Sequence, residues 1–294
     1  MAQADGHVIL TPLDGSEMSE FAVPYTAEVA RALGATVLIA RIVERTRWSA
    51  ASSGYMMSPG AYTELLELDE RDAQAQTHRV VERLTAQGVA ARGLVEDADL
   101  PADLIDIERR EHVSLVVMAT HARSGLARVT LGSVADQLVR HGRCPTLLVR
   151  AHGALPERPA LARALIPLDG SAVSELALAE LANVAGTLVK QVTLLRVIGP
   201  EERSGASAEG HRALEAARER VERASESLRG QVKTLVMWGQ VAQQVLDESA
   251  RHDLIIMATH GAGGATRWAF GSVADQVLSE AQAPLLLTRP HHKP

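Results

Sequence analysis

Two loops in this chain end in glycine and serine just before a helical pattern, an arrangement suited to binding an anion. The first, MATHARSGLARVTLGSVADQ, contains Gly132-Ser133, and the second, MATHGAGGATRWAFGSVADQ, contains Gly271-Ser272. The amino end of a helix offers backbone N–H groups without intrahelical partners and a partial positive charge. Glycine lets an anion approach these groups and serine adds a donor, so both loops predict phosphate cradles. The alternative is that the two serines only cap their helices.

Two aspartates, Asp14 and Asp169, each end an apolar run within the repeated segment PLDGS. A carboxylate at such a position is a suitable acceptor for an exocyclic amine or a ribose hydroxyl. Aspartate before glycine is equally typical of a turn that leads into a helix, and both interpretations stay open.

The two loops also contain charged and titratable side chains. His121 and His260 are candidates for a phosphate contact or a weak acid–base role, with hydrogen bonding that fixes the loop as the preferred alternative. Arg123 is a candidate phosphate contact, on equal terms with a simple surface charge. Neither loop is a Walker A sequence, because GxxxxGK[ST] does not occur and the loops lack lysine.

Positioning these groups requires strands and helices in alternation, and the sequence shows that alternation twice. VILTPLDGSEMSEFAV recurs as ALIPLDGSAVSELAL, and the apolar runs LVVMA and LIIMA precede the two loops. Such an alternation with near-continuous apolar strands predicts a parallel sheet covered on both faces. We therefore predict an α/β fold of two tandem, doubly wound, Rossmann-like domains over residues 1–150 and 163–294, joined by a linker over residues 151–162.

Apolar spacing and turn residues predict the individual elements. Ser16 is expected to cap the first helix and Gly34 to end it. In parallel α/β sheets, ligands lie beyond the carboxyl ends of the strands, where the aspartates and the two loops fall. In the first half, the strands are predicted at 8–13, 36–43, 89–95, 115–119 and 146–149, and the helices at 17–33, 61–87, 101–111 and 133–141.

Composition narrows the classes of function. The chain has 294 residues, a net charge of −6 and only 3% aromatic residues, without a basic stripe, so no nucleic-acid partner is expected. The apolar runs are far shorter than a membrane span and the amino terminus lacks the pattern of a signal peptide, so no membrane association is expected. Cys144 is the single cysteine, which fits a reducing cytoplasm.

In combination, PLDGS, the strand ends RIVE and RVIG, the MATH…GSVADQ loops and the closing segments CPTLLVR and APLLLTR resemble the universal stress protein family over essentially the whole chain. The resemblance implies a tandem member in which each half has a five-stranded parallel sheet of order 3-2-1-4-5. It also implies that the last strands, residues 146–149 and 284–288, pair the halves as an intrachain pseudo-dimer. A homodimer of the tandem chain is compatible with the same arrangement.

Nucleotide-binding members of that family carry a G-x-x-G-nine-residue-G-[ST] loop that holds the phosphates and ribose of ATP. The acid after the first strand and a backbone position near the end of the second strand contact adenine. In the first half these positions are Asp14, Ile42, Gly132 and Ser133. The first half departs from the pattern at two alanines, Ala119 and Ala122.

In the second half, the same resemblance points to Asp169, Val197, Gly261, Gly271 and Ser272, with one departure at Ala258. Neither catalytic nor metal-ligating residues are predicted. The complete predicted binding set is Asp14, Ile42, Thr120, His121, Arg123, Gly132, Ser133, Val134, Asp169, Val197, Thr259, His260, Gly261, Gly264, Gly271, Ser272 and Val273.

The two halves are expected to differ in affinity, because Ala122 stands where the second half has Gly261. An alanine forced to positive φ costs roughly 1–2 kcal/mol, and about 1.4 kcal/mol is tenfold in affinity. If the loop needs a left-handed backbone there, the first site is weakened about tenfold. We therefore expect the second half to bind more tightly.

The resemblance implies a regulatory protein of the stress response that binds ATP or another adenine nucleotide with little or no turnover. It leaves open whether Mg²⁺ accompanies the nucleotide. The alternatives are a nucleotide-free scaffold that acts through pairing of its domains and a slow ATP hydrolase. The hydrolase ranks last, because the sequence shows no Ser/His/Asp constellation, metal-ligand spacing or paired carboxylates. The sequence indicates no particular protein partner.

Overall fold

The computed structural model describes residues 6–43, 59–97, 102–121, 131–185, 187–202, 205–259 and 270–288, in which strands and helices alternate. The strands are β1 (Val8–Leu13), β2 (Thr36–Val43), β3 (Ala91–Asp97), β4 (Val113–His121), β5 (Thr146–Ala151), β6 (Arg163–Pro167), β7 (Gln191–Ile198), β8 (Val232–Trp238), β9 (Leu254–Ala258) and β10 (Leu285–Thr288). The α-helices are α1 (Ala22–Leu33), α2 (Pro59–Ala86), α3 (Ala102–Arg110), α4 (Ser133–His141), α5 (Leu176–Glu180), α6 (Ala206–Ala224), α7 (Val241–Ser249) and α8 (Ser272–Glu280).

Ten strands form one sheet, in the order β3-β2-β1-β4-β5-β10-β9-β6-β7-β8. Within each half, every pair of neighbouring strands is parallel. Read from its outer edge inward, each half has its third strand first, followed by its second, first, fourth and fifth strands. The predicted α/β class with parallel sheets is confirmed.

The two halves meet at the one antiparallel pair among the described strands. β5 lies beside β10, with Leu147 opposite Leu286 and Leu148 opposite Leu285. The expected pairing of the halves through their last strands is therefore confirmed. It covers one edge of each half and leaves β3 and β8 at the outer edges of the sheet.

Apolar side chains cover both faces of the sheet. Ile9 of β1 packs on one face with residues of α1 and α2, and its neighbour Leu10 packs on the other face with residues of α3 and α4. Successive residues of a strand point to opposite faces of the sheet. Both side chains are nevertheless 0% exposed, because helices cover both faces. This double burial is the physical reason for near-continuous apolar runs such as residues 115–119.

The first helix begins later than predicted. Ser16 precedes a 3-10 turn over Ser19–Phe21, and α1 follows that turn. Ser16 Oγ accepts a hydrogen bond from Ser19 N–H at 3.1 Å, and Ser19 Oγ donates to the Ser16 carbonyl at 2.8 Å. The prediction that Ser16 caps an α-helix from residue 17 was therefore wrong, because its hydroxyl binds the amide of Ser19 in the short turn and α1 begins only at Ala22. Gly34 ends α1 at a φ of 61°, as predicted.

Strand β3 is displaced by two residues from its predicted position. The amide of Val89 donates to the carbonyl of Leu84 at 3.0 Å, just after Gly88 with a φ of 76°. This bond closes the carboxyl end of α2, so Val89 belongs to the helix terminus and the strand begins after it. In the same way, Ala151 was assigned to the linker but extends β5.

Candidate functional site

A cavity of about 200 Å³ lies at the carboxyl ends of β1, β2 and β4, beside the amino end of α4. This is the edge at which parallel α/β sheets bind ligands. The cavity brings together predicted residues from three separate segments of the first half. Its lining residues are Pro12, Leu13, Asp14, Ser19, Ile42, Leu104, Met118, Ala119, Thr120, Gly132, Ser133, Val134 and Ala135.

The amino end of α4 opens onto this cavity. The amide of Asp136 donates to the carbonyl of Gly132 at 2.8 Å, which is the first hydrogen bond of the helix. The amides of Ser133, Val134 and Ala135 come before that bond and have no acceptor within the helix. All three residues line the cavity. The cavity therefore lies at the positive end of the helix dipole, beside residues whose amides have no helical acceptor.

The predicted serines occupy the first helical position rather than the cap. The residues before the helices, Gly132 and Gly271, are the N-caps of α4 and α8, and neither makes a side-chain capping bond. A capping hydroxyl must precede the helix to reach its first amides. The interpretation that Ser133 and Ser272 only cap their helices was therefore wrong.

Asp14 both forms a turn and lines the cavity. Its Oδ1 accepts hydrogen bonds from the Ser16 amide at 2.9 Å and from the Ser16 hydroxyl at 2.6 Å, around Gly15 with a φ of 90°. Partial burial of the carboxyl raises the pKa of Asp14, but hydrogen bonds from Ser16 and Ser19 and the charge of Arg41 outweigh burial. The net pKa of Asp14 lies below its usual value, so the cavity contains an ionised acceptor.

The second half repeats the aspartate turn at the end of β6. Asp169 Oδ1 accepts a hydrogen bond from the Ser171 amide at 2.9 Å, around Gly170 with a φ of 82°. Ser171 Oγ in turn accepts from the Ser174 amide at 3.1 Å. The local conformation of the segment DGS is thus the same in both halves, because the same short-range hydrogen bonds form.

The start of α8 resembles that of α4, with one additional contact. Asp275 N–H donates to the Gly271 carbonyl at 2.9 Å, so Ser272 and Val273 lie in the first turn, ahead of the helical hydrogen bonds. The amide of Gly271 donates to the carbonyl of Thr259 at 3.2 Å. The Gly271 amide is therefore bonded within the protein, and the amides available to an anion begin at Ser272.

Sequence reasoning missed an arginine beside each predicted base-contact position. Arg41 Nη1 donates to the carbonyl of Ile42 at 3.0 Å, and Arg196 Nη1 donates to the carbonyl of Val197 at 3.2 Å. These strand-end carbonyls therefore already accept a hydrogen bond from the protein. A signal was present in the sequence, since both strand ends have arginine immediately before the predicted position.

An apolar wall of the cavity was also missed. Leu104 of α3, Met118 of β4 and Ile42 of β2 are 1%, 7% and 4% exposed, and all three line the cavity. Apolar walls beside a few polar groups are typical of small-molecule sites. The place of Met118 in this wall was foreseeable, because side chains along β4 alternate between the two faces of the sheet. The place of Leu104 depends on how α3 packs.

Several predicted residues lie outside the described part of the chain, namely Arg123, His260, Gly261 and Gly264. For His121, only its backbone at the end of β4 is described. Among the described residues, no group of three or more His, Cys, Asp or Glu side chains is arranged to hold a metal ion. Within the same described ranges, no helix has the length and apolarity to cross a bilayer.

The fold and the site together define a class of protein. Its members are α/β proteins with parallel sheets that place an aspartate turn and a helix amino end at the same edge of each sheet. The sequence model of the universal stress protein family matches residues 7–150 and 161–289, which covers both halves. The chain belongs to the universal stress protein family.

Similar proteins support the tandem organisation. A universal stress protein of Mycolicibacterium smegmatis is 27% identical over 296 residues, covering 96% of this chain and 97% of that protein. One of Mycobacterium tuberculosis is 30% identical over 191 residues, which cover 62% of this chain and 64% of that protein, so the match spans less than two thirds of its length. The crystal structure of a universal stress protein from Archaeoglobus fulgidus has a TM-score of 0.72 at 16% identity, covering 97% of this chain and 99% of that chain. At that identity the likeness supports the fold.

Proposed function

We propose that this protein binds an adenine nucleotide, specifically ATP, at the carboxyl edge of the sheet in each half, with little or no turnover. Its role is that of a regulator in the stress response, and family membership supports that role. The observation that carries the proposal is the first-half cavity, where Ser133, Val134 and Ala135 at the start of α4 line one space together with Asp14.

The polarity of the cavity favours a ligand with two chemically different ends. Amides at a helix start attract an anion, whereas the ionised Asp14 repels anions and accepts hydrogen bonds. A nucleotide satisfies both, with phosphates at α4 and amino or hydroxyl donors at Asp14. The apolar side chains of Ile42, Leu104 and Met118 provide a surface for the face of a purine.

Gly132 gives independent support. Its φ of −54° is accessible to any residue, and a Cβ placed there would meet no atom of the described residues within 4 Å. Neither the backbone conformation nor packing against the described residues therefore requires glycine at this position. A phosphate that approaches the amides of α4 does require it, because a side chain would fill the space in front of them.

The first experiment is to denature the purified protein by heat and to separate the released small molecules by ion exchange. Recovered adenine nucleotide supports the proposal. Titration with ATP then tests the site, and Gly132→Ala is expected to weaken first-half binding about tenfold while leaving the melting temperature unchanged or higher. Asp14→Asn is expected to weaken the same half, and Glu17→Gln, which removes an exposed carboxylate nearby, is the matched control.

Other outcomes identify the alternatives. A nucleotide-free protein whose melting temperature is unchanged by millimolar ATP with Mg²⁺ would contradict nucleotide binding and favour the scaffold. Multiple turnovers of ATP that are lost in Asp14→Asn or Ser272→Ala would favour a hydrolase.

Two finer assignments belong to the same proposal. The second half binds ATP more tightly, because it has Gly261 where the first half has Ala122. The protein works in the cytoplasm, where the buried thiol of Cys144 stays reduced. Site-resolved titration that shows equal affinities, or a tighter first half, would overturn the ranking.

A further inference from the structure

A cation–π contact joins the two halves beside the second predicted site. The guanidinium carbon of Arg140, on α4 of the first half, lies 4.2 Å from the centre of the Phe270 ring. Phe270 immediately precedes Gly271, the N-cap residue of α8 in the second half. The contact thus connects the last helix of one half to the anion-binding turn of the other.

Arg140 is held in place by its own helix. Its Nε lies 2.8 Å from each carboxylate oxygen of Asp136, one turn earlier on α4. The Arg140 side chain is 25% exposed, so water screens its contacts only in part. A guanidinium oriented in this way presents a flat, weakly hydrated cation to the aromatic ring.

Phe270 leads directly into the hydrogen bonds that define the start of α8. Gly271, the next residue, donates to the Thr259 carbonyl at 3.2 Å and accepts from the Asp275 amide at 2.9 Å. Phe270 itself is partly buried against the apolar core. The Phe270 ring thus lies between that core and Arg140, next to the residue whose hydrogen bonds define the start of α8.

A second arginine of the first half holds the same helix from another position. Arg150 of β5 pairs with Thr120 of β4 and is 7% exposed. Its Nη2 donates a hydrogen bond to the carbonyl of Leu278, in the last turn of α8. The first half therefore contacts α8 near its carboxyl end and also contacts Phe270, which precedes the N-cap of α8.

The contact between Arg140 and Phe270 has no equivalent with the roles of the two halves exchanged. The repeat places Leu131 where the second half has Phe270, and Ser279 where the first half has Arg140. Leucine has no ring face and serine carries no charge, so these two positions cannot form the reciprocal contact. Among the described residues, the turn at the start of α4 therefore lacks the arginine–aromatic contact found beside the turn of α8.

We propose that Arg140 is a positioning residue for the second nucleotide site: it orients the anion-binding turn of α8 through Phe270. The affinity of the second half for an adenine nucleotide then depends on a side chain of the first half. This inference rests on the proposed function, and its structural part is measurable without nucleotide.

The test compares Phe270→Leu, which copies the first half, with Phe270→Tyr, which keeps the ring face. NMR of the full chain follows amide exchange and ATP titration at Gly271 and Asp275, with Asp136 of α4 as the reference for the first half. Without nucleotide, Phe270→Leu is expected to accelerate exchange at Gly271 and Asp275 about three- to tenfold. With ATP, the affinity of the second half falls by about the same factor and that of the first half is unchanged. Phe270→Tyr behaves like the wild type.

A double-mutant cycle separates this contact from general destabilisation. Arg140→Met is expected to reproduce the effect of Phe270→Leu at the second half and to add nothing when the two changes are combined. Arg109→Met is the matched control, because Arg109 is an exposed arginine of α3 that pairs with Asp106 of the same helix. It is expected to change neither exchange nor affinity at α8.

The possible results of these experiments distinguish the positioning role of Arg140 from the proposed binding of nucleotide. If ATP binds both halves and Phe270→Leu changes neither exchange nor second-half affinity, the inference is wrong and nucleotide binding stands. If ATP shifts no amide of the wild type, the proposed function fails together with the dependence of affinity on Arg140. In that case the exchange rates of the nucleotide-free variants still decide whether Arg140 positions the turn.

Discussion

The backbone of Gly93 in β3 lies against the methyl group of Thr77 in α2, so close that a Cβ on Gly93 would overlap Thr77 Cγ2. Thr77 is 4% exposed, and its branched side chain has few rotamers to which it can move. The missing side chain at Gly93 therefore sets how closely α2 packs on the outer edge of the first-half sheet.

Gly93→Ala is expected to lower the free energy of unfolding by about 1–3 kcal/mol, because the added methyl group overpacks the contact with α2. Thr77→Ser removes Cγ2 and should restore most of that loss in the double variant. Urea denaturation of the single and double variants measures both effects. Strictly additive losses would show that another contact accounts for the instability.

The ionised Asp14 should make stability depend on pH in the acid range. Its pKa is lower in the folded protein than in the unfolded chain, so its contribution is fully present above the unfolded pKa and is lost as pH falls through the folded pKa. Asp14→Asn is expected to lower stability at neutral pH by under about 1 kcal/mol, because water screens a carboxyl that is only partly buried. The difference from the wild type should shrink on acidification in thermal melts, whereas a pH-independent difference would contradict this account.

Glu180 on α5 should have the opposite effect. It is 6% exposed, and burial raises its pKa, so stability falls as pH rises from the ordinary glutamate pKa through the raised folded value. Glu180→Gln is expected to melt a few degrees higher than the wild type at neutral and mildly alkaline pH. That advantage should disappear in acid, where the wild-type carboxyl is protonated.

Glu175, which precedes the same helix, is the matched control for Glu180. Its pKa is lowered, chiefly by a hydrogen bond from Arg220 at 2.8 Å. Glu175→Gln should therefore lower stability slightly at neutral pH, with the sign opposite to that of Glu180→Gln. The same sign for both substitutions would mean that burial of Glu180 is not the cause.

The reciprocal interface contact can be constructed. Leu131→Phe combined with Ser279→Arg places a ring before α4 and a cation on α8, as in the natural contact between Phe270 and Arg140. The double variant is expected to bind ATP about two- to fivefold more tightly in its first half, measured by titration at the Asp136 amide. Ser279→Arg alone should produce no such gain, and an equal gain would point to a general effect of the added charge.

Much of the fold was predictable from sequence because it depends on local patterns that occur twice. The apolar run of β4 and the glycine after α1 are short-range signals, and the repeat of each segment supports the same prediction in the second half. The start of α1 was not predictable in this way. Asp14 and Ser16 bind the backbone amides of their own turn, and this competes with the helix that the spacing of apolar residues favours.

Residues of the candidate site were likewise predictable only where local sequence signals identify them. Asp14 and Ser133 were identified because their strand end and helix start can be recognised from a few neighbouring residues. The guanidinium of Arg41 on the Ile42 carbonyl was missed, because the path of a long side chain depends on the turn and helix packed over it.

Residues close together in the chain suffice to predict the order of strands and helices, the repetition of the unit and the edge of the sheet where its polar groups collect. These follow from backbone propensity and from side-chain periodicity over short stretches. The contacts of Arg140 with Phe270 and of Arg150 with α8 depend instead on how the two halves pack together. Both contacts join residues far apart in the chain, and no periodicity within either half encodes a partner in the other. They arise because β5 and β10 bring the two halves together in one sheet.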